Sequence, residues 1–422
     1  MNILVIGSGG REHALCYALQ KSPTTDKIYC LPGNAGTLEL AECAEIELKD
    51  FSPIAEFCKS RKIALVVVGP EGPLVEGIAD FLEGKGIAVF GPSKAAAQLE
   101  GSKNFTKNLC VKYNIPTAFY QSFTDVKEAI KFIETTDKRL VVKADGLAAG
   151  KGVIIPETKA EAIEAVHEIM GGKFGAAGKC IVIEEFLEGE EASFFALSDG
   201  KTAIKFGSAQ DHKRAFDGDK GLNTGGMGTY SPAPIMTEDM DARVMREIII
   251  PTIDAMRKEG TPFKGVLFAG LMITKDGPKL IEFNARFGDP ETQVLMLRLE
   301  SDLAELLLAA ATGKLAGKEV KLADSAAVCV VMAAKGYPGE YQRGSEIQGL
   351  EIAAKEPGAV IFHAGTKKFG DKILADGGRV LGIAASGKNV AEAREIAYRA
   401  IAKINWPEGF YRSDIGAKVI KN

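Results

Sequence analysis

The chain has 422 residues, 46% of them hydrophobic and 26% charged, and carries a formal net charge of −4. That length exceeds what one hydrophobic core serves, so several domains are expected, and the charge gives no global attraction to nucleic acid or an anionic membrane. No apolar run approaches the roughly 18 residues of a membrane span, the start "MNILVIGSGG" has no basic segment or cleavage site of a signal peptide, and seven scattered cysteines suit reduced thiols in a cytoplasm.

The first ninety or so residues alternate strand and helix: "NILVIGSGG", "REHALCYALQKS", "KIYCLPGN", "SPIAEFCKSRK", "IALVVVGPEGPL", "GIADFLEGKG" and "IAVFGPS". This is the pattern of βαβ units and a parallel sheet, whose ligands lie at the carboxyl ends of strands. A dinucleotide fold is disfavoured. Glu12 stands where the fingerprint G-x-G-x-x-G needs its third glycine, and the second strand ends in Pro-Gly-Asn, not in an acidic residue. The Gly-rich turn before a helix still suits an anion such as a substrate phosphate, although the glycines are also accounted for by a tight turn alone.

From about residue 121 a small α+β module begins: the helical "SFTDVKEAIKFIETT", the strand–loop–strand "RLVVKADGLAAGKGVIIP", the helical "KAEAIEAVHEIMGG" and strands around the acidic "IVIEEFLEGEE". The loop is not a Walker A motif, since Gly146 to Gly150 is one residue short and Gly152 replaces Ser or Thr. It still offers Lys143, which among apolar neighbours needs an anionic partner, and backbone donors for polyphosphate. Glu184, Glu185 and Glu191 read alone as a solvated face; after a lysine-bearing strand they fit a hinge that reads an adenine and its ribose. The stretch 202–234, containing "AQDHKR" and "NTGGMG", is long, Gly-rich and poorly periodic, and reads as a binding loop.

The stretch "PKLIEFNARFGDPE" carries the densest chemistry. Period-two alternation puts Glu282 and Asn284 on one face and Ile281 and Phe283 on the other. A carboxylate beside an amide carbonyl is hard-oxygen ligation of the kind that suits Mg²⁺ with phosphates in its remaining positions. Arg286 fits a two-pronged carboxylate clamp, and Asp289-Pro290 fits a helix start with Asp289 as N-cap. After residue 325 come mainly short strands and a final helix, read as a separate β-rich domain.

Taken in order, "GSGGREHAL", "GPEGPLVEGIAD", "KADGLAAGKGV", "QDHKR", "NTGGMGTYSPAP", "ARFGDPETQ" and "FHAGTK" resemble segments of the phosphoribosylamine–glycine ligases (glycinamide ribonucleotide synthetases), a family of the ATP-grasp superfamily. The resemblance spans nearly the whole chain. It implies an α/β architecture: an N-terminal parallel domain over 1–101, a central ATP-grasp domain over 102–120 and 191–325, a lid module over 121–190 and a β-rich C-terminal domain over 326–422. It implies ADP-forming ligation of glycine to 5-phosphoribosylamine through a glycyl phosphate, with ATP and Mg²⁺ or Mn²⁺, in a cytoplasmic monomer or weak dimer. It assigns ATP to Lys103, Lys143, Gly150, Glu184, Glu185, Leu187 and Glu191, and metal to Glu282 and Asn284. Substrate falls to Gly9, Gly10, Glu71, Asp211, Asn223, Thr224, Gly225, Arg286 and Asp289, and catalysis to Arg286, Lys143 and Asp211. One departure is visible: "VLFAGLMIT", the strand before Glu282, lacks the carboxylate many ATP-grasp proteins carry there. The rival readings are an ATP-grasp ligase of other substrates and a non-catalytic nucleotide-binding protein.

Overall fold

A computed structural model describes residues 1–147 and 152–420. The N-terminal apolar runs form β1 (Asn2–Gly7), β2 (Lys27–Pro32), β3 (Glu42–Cys43), β4 (Ile63–Val68) and β5 (Val89–Phe90). They make a parallel sheet in the order β3-β2-β1-β4-β5, and β1 and β4 are almost wholly buried because helices cover both faces. The helix Gly10–Gln20 follows β1 directly.

The small module is a four-stranded sheet, β6-β9-β7-β8, of β6 (Tyr120–Phe123), β7 (Leu140–Ala144), β8 (Val153–Ile154) and β9 (Ile181–Glu185). Asp125 caps the helix Val126–Thr135, accepting from Lys127 and Glu128 N–H, and that helix packs its Ala129 and Ile133 into the module's own apolar core.

The strands β10 (Glu190–Asp199), β11 (Ala203–Asp211), β14 (Gly228–Ser231), β15 (Lys264–Thr274) and β16 (Gly277–Asn284) belong to a larger sheet, with β12 (Arg214–Phe216) and β13 (Lys220–Asn223) forming a separate hairpin. The segment expected to be an irregular loop is therefore largely strand; Gly207 and Gly228 lie within strands, and Gly218, Gly221, Gly225 and Gly226 sit at the hairpin and the turn after it. The sheet does not stop at residue 325. Its order is β16-β15-β10-β11-β14-β17-β22-β19, where β17 (Ala326–Ala334), β19 (Ala359–His363) and β22 (Arg379–Gly387) come from the C-terminal part. Two-residue β18 (Glu346–Ile347) with β20 (Thr366–Phe369) and β21 (Lys372–Ala375) makes a small side sheet, and β23 (Gly409–Phe410) pairs with β17. The largest apolar core draws residues from all three parts, including Val5, Phe195, Leu295 and Phe362. Among the described residues no helix is long and apolar enough to cross a membrane.

Candidate active site

Glu282 and Asn284 leave β16 on the half-buried face of the large sheet, as alternation requires. The other half of that expectation fails. The register slips so that Gly270 pairs with Glu282 but Leu271 with Leu280, making Ile281 the extra residue of a bulge. Leu280 and Phe283 are buried in the core while Ile281 is only half-buried. The bulge keeps two inward apolar residues and still turns Glu282 and Asn284 toward the site.

Ammonium groups gather around Glu282. Burial pushes its carboxyl up, and Lys213, Lys103, Lys143 and Arg286 more than offset that, so it stays ionised below its ordinary value. Lys103 opens the helix Lys103–Tyr113 and donates to Gly146 O at 3.2 Å. Asp145 accepts from Asn104 N–H and the Ser102 hydroxyl at the same helix end, tying the glycine loop to it. Gly150 lies outside the described residues.

Lys143 and Glu184 face inward together. Glu184 lies 2.9 Å from Lys143 Nζ and accepts from Lys107 Nζ at 2.8 Å, and Lys107 also donates to the Thr117 hydroxyl. All three charged side chains are buried, and the Glu184 carboxylate is the counterion that permits two lysines inside the protein. Glu185 is likewise committed, to Phe119 N–H and Lys138. Glu185 and Phe186 N–H are taken by Phe119 and Arg139 carbonyls, whereas Leu187 N–H has no partner among the described residues, which leaves a hinge donor. Glu191 accepts from Lys213 Nζ at 2.5 Å. Lys107, one helical turn after Lys103, was missed in the sequence; its signal was that i, i+4 spacing.

Arg286 is more committed than a substrate clamp would be. Nε lies 3.3 Å from Glu71 Oε2, Nη1 donates to Phe287 O, and Nη2 donates to Asn284 Oδ1 and lies 3.1 Å from Glu100 Oε1. One N–H remains, on Nη1, so the two-pronged clamp is not available in this arrangement. Arg286 instead braces the amide of Asn284.

Asp289 does not cap the helix Glu291–Arg298; Pro290 stands at that position. Its carboxylate accepts from Arg11 N–H (3.2 Å) and Gln293 Nε2 (2.9 Å). Glu12, buried, accepts from Gly9 N–H and Arg11 Nε. Two carboxylates thus occupy donors at the start of the helix Gly10–Gln20 that a substrate phosphate was expected to use. The glycines serve close approach: a Cβ on Gly69 would lie 2.0 Å from Glu12 Oε1, and one on Gly10 2.6 Å from Gln293 Nε2.

Asn223 ends β13 beside the turn Thr224–Gly226. Thr224 N–H and hydroxyl both donate to Lys213 O, and Gly225 N–H donates to the Tyr337 hydroxyl. Arg379, from β22, donates through Nη1 to Gly225 O (2.8 Å) and Asp289 O (2.6 Å). His363 N–H donates to His13 Nδ1. No C-terminal residue was expected here, because single arginines and histidines in short strands carry no local signal. Around Asp211 the situation differs: burial, Glu191 and Glu282 raise its carboxyl, with Lys213 opposing.

Family models match most of the chain. They describe the N domain of phosphoribosylglycinamide synthetase over residues 1–100, its ATP-grasp (A) domain over 101–292 and its C domain over 327–418. A phosphoribosylamine–glycine ligase of Mesorhizobium japonicum is 57% identical over 100% of this chain and 99% of its own length. The chain belongs to the phosphoribosylamine–glycine ligase family. A chloroplastic phosphoribosylamine–glycine ligase of Arabidopsis thaliana is 55% identical over 97% of this chain and 79% of its own. The crystal structure of a Thermotoga maritima phosphoribosylamine–glycine ligase superposes with a TM-score of 0.86 at 34% identity, covering 98% of this chain and 100% of that one. A Campylobacter jejuni biotin carboxylase, at 14% identity and TM-score 0.73 over 100% of this chain and 95% of its own, shares the fold.

Proposed function

We propose that this chain joins glycine to 5-phosphoribosylamine at the expense of ATP, giving glycinamide ribonucleotide, ADP and phosphate, the second step of purine synthesis. The observation that carries the mechanism is Glu282 and Asn284 side by side, with Lys213, Lys103 and Lys143 acting together on Glu282. Two oxygen donors fit a divalent cation whose other positions are filled by phosphate. Bound there, Mg²⁺ or Mn²⁺ would offset phosphate charge as it moves from the γ-phosphoryl group to ADP.

In this reading Leu187 N–H meets the adenine, Glu191 the ribose hydroxyls, and Lys103, Lys143 and the loop containing Gly150 the phosphates. A glycine carboxylate oxygen bonds to the γ-phosphorus as the bond to ADP breaks. The ribosylamine nitrogen then attacks the glycyl carbonyl, phosphate leaves, and the amine loses a proton. Arg286 holds Asn284 and directs its one remaining N–H at the glycine carboxylate. The sugar lies between Gly9, Gly10, Glu71 and Asp289 on one side and Asn223, Thr224 and Gly225 on the other, where the carboxylates suit its hydroxyls. Residues 121–190 close as a lid that keeps water from the acyl phosphate. The protein works in the cytoplasm as a monomer or weak dimer.

The test is ADP release by the purified chain with ATP, Mg²⁺, glycine and freshly generated phosphoribosylamine, beside Glu282→Ala. Release requiring both substrates and lost in the variant is expected. Release without glycine dependence would overturn the substrate assignment and leave the ATP-grasp fold untouched.

A further inference from the structure

Cross-strand partners in a sheet share a face, so the pairings draw a map of the site floor. Glu282 lies opposite Gly270, Gly270 opposite Ser193, and Ser193 opposite Ala209. Asp211 follows Ala209 by two residues and therefore rises on the same face. Along the row that starts at Glu282 the floor carries nothing larger than a serine; Asp211 stands in the next row, with Glu191 and Met272. A Cβ on Gly270 would touch Glu282 Cγ at 3.4 Å, which puts Gly270 directly beneath that side chain.

The helix Glu291–Arg298 lies over this floor, and its first residue covers Ser193: the Ser193 hydroxyl donates to Glu291 Oε1 at 3.3 Å. Glu291 is 4% exposed. Most neighbouring acids of the site have a cation in direct contact, Glu191 with Lys213, Glu184 with Lys143 and Lys107, Glu71 and Glu100 with Arg286, while Glu282, the metal-ligand candidate, has several cations nearby without a direct pair. Glu291 and Asp211 also stand without a direct pair; among the described residues no lysine or arginine lies within ion-pairing distance of either. Burial and Asp211 push the Glu291 carboxyl up to about 7, and the more distant Arg286 does not reverse that, as befits two acids facing one space.

We propose that Glu291 and Asp211 together receive the α-ammonium of the amino-acid substrate, and that the Gly270–Ser193 floor restricts that substrate to glycine. The carboxylate end then points toward Glu282, Asn284 and the free N–H of Arg286, where it must lie to be phosphorylated. A substrate side chain over this floor would meet Glu291 where it covers Ser193 and Glu282 where it stands over Gly270. This inference rests on the ligase reading above.

The test compares glycine as substrate with glycolate, which has a hydroxyl in place of the ammonium, as competing inhibitor, in wild type, Glu291→Gln and Asp211→Asn. The ratio of glycolate Ki to glycine KM is expected to fall roughly ten- to hundredfold in each variant, the range of a charge-assisted hydrogen bond, with KM for ATP little changed. A purely structural role would weaken both ligands alike and leave the ratio unchanged, and that result overturns the proposal. Asp211 is only half-buried, so its variant gives the reading even where Glu291→Gln folds poorly. Gly270→Ala, whose added Cβ makes ordinary contact, is expected to raise the glycine KM; an unchanged KM would refute the floor. Wild-type protein without glycine-dependent ADP release would instead defeat the ligase reading itself.

Discussion

Glu184→Gln leaves two ammoniums, Lys107 and Lys143, facing one neutral amide where the three side chains are 2%, 4% and 4% exposed in the order Lys107, Glu184, Lys143. Removing one partner of a buried ion pair costs about 3–5 kcal/mol. In a chain of several domains that loss is local, since β7 and β9 lie in a module with its own core. Hydrogen exchange reads it directly. Amides of Leu140–Ala144 and Ile181–Glu185 are expected to lose roughly two to three and a half powers of ten in protection, at about 1.4 kcal/mol per tenfold, while those of β1 and β4 keep theirs. Burial pushes the Glu184 carboxyl up, and Lys143 and Lys107 more than offset it, so it titrates below the ordinary 4.5. Its contribution is thus complete above 4.5 and is lost as pH falls through the lower folded value. The gap between wild type and variant should be constant near neutrality and close only in acid. A protection loss below about threefold at neutral pH would refute the reasoning.

Two further outcomes are expected. Gly69→Ala would place a Cβ 2.0 Å from Glu12 Oε1; evicting that buried carboxylate should cost about 1–3 kcal/mol, seen as a lower melting temperature, and an unchanged melting temperature would contradict the packing described. Arg379→Met removes the guanidinium that holds Gly225 O and Asp289 O, so KM for phosphoribosylamine should rise roughly tenfold with KM for ATP unchanged; equal shifts in both would count against a local role.

Local patterns made much of this structure readable. The apolar runs of β1 and β4 and the Gly-rich turn after β1 announce a parallel sheet, and Glu282 and Asn284 declare their shared face by spacing alone. Non-local features were not readable. An acidic run such as "IEEFLEGEE" looks solvated until the strand pairing turns Glu184 toward Lys107 and Lys143, which lie 77 and 41 positions earlier in the chain. The bulge at Ile281 is set by the partner strand, and Asp289 has every local mark of a cap but finds its donor at Arg11. Arg379 and Tyr337 reach the site only because β17 and β22 extend the central sheet.

That extension bears on how such a protein can be divided. The junction near residue 325 is a seam of backbone hydrogen bonds: Gly228, Thr229, Tyr230 and Ser231 pair with Val330, Cys329, Val328 and Ala327. A fragment ending at the seam would present β14, buried throughout in the intact chain, as a naked edge open to self-association. Recombining parts between relatives must therefore carry β14 and β17 across together, because the two strands form one unit although β15, β16 and several helices lie between them in the chain.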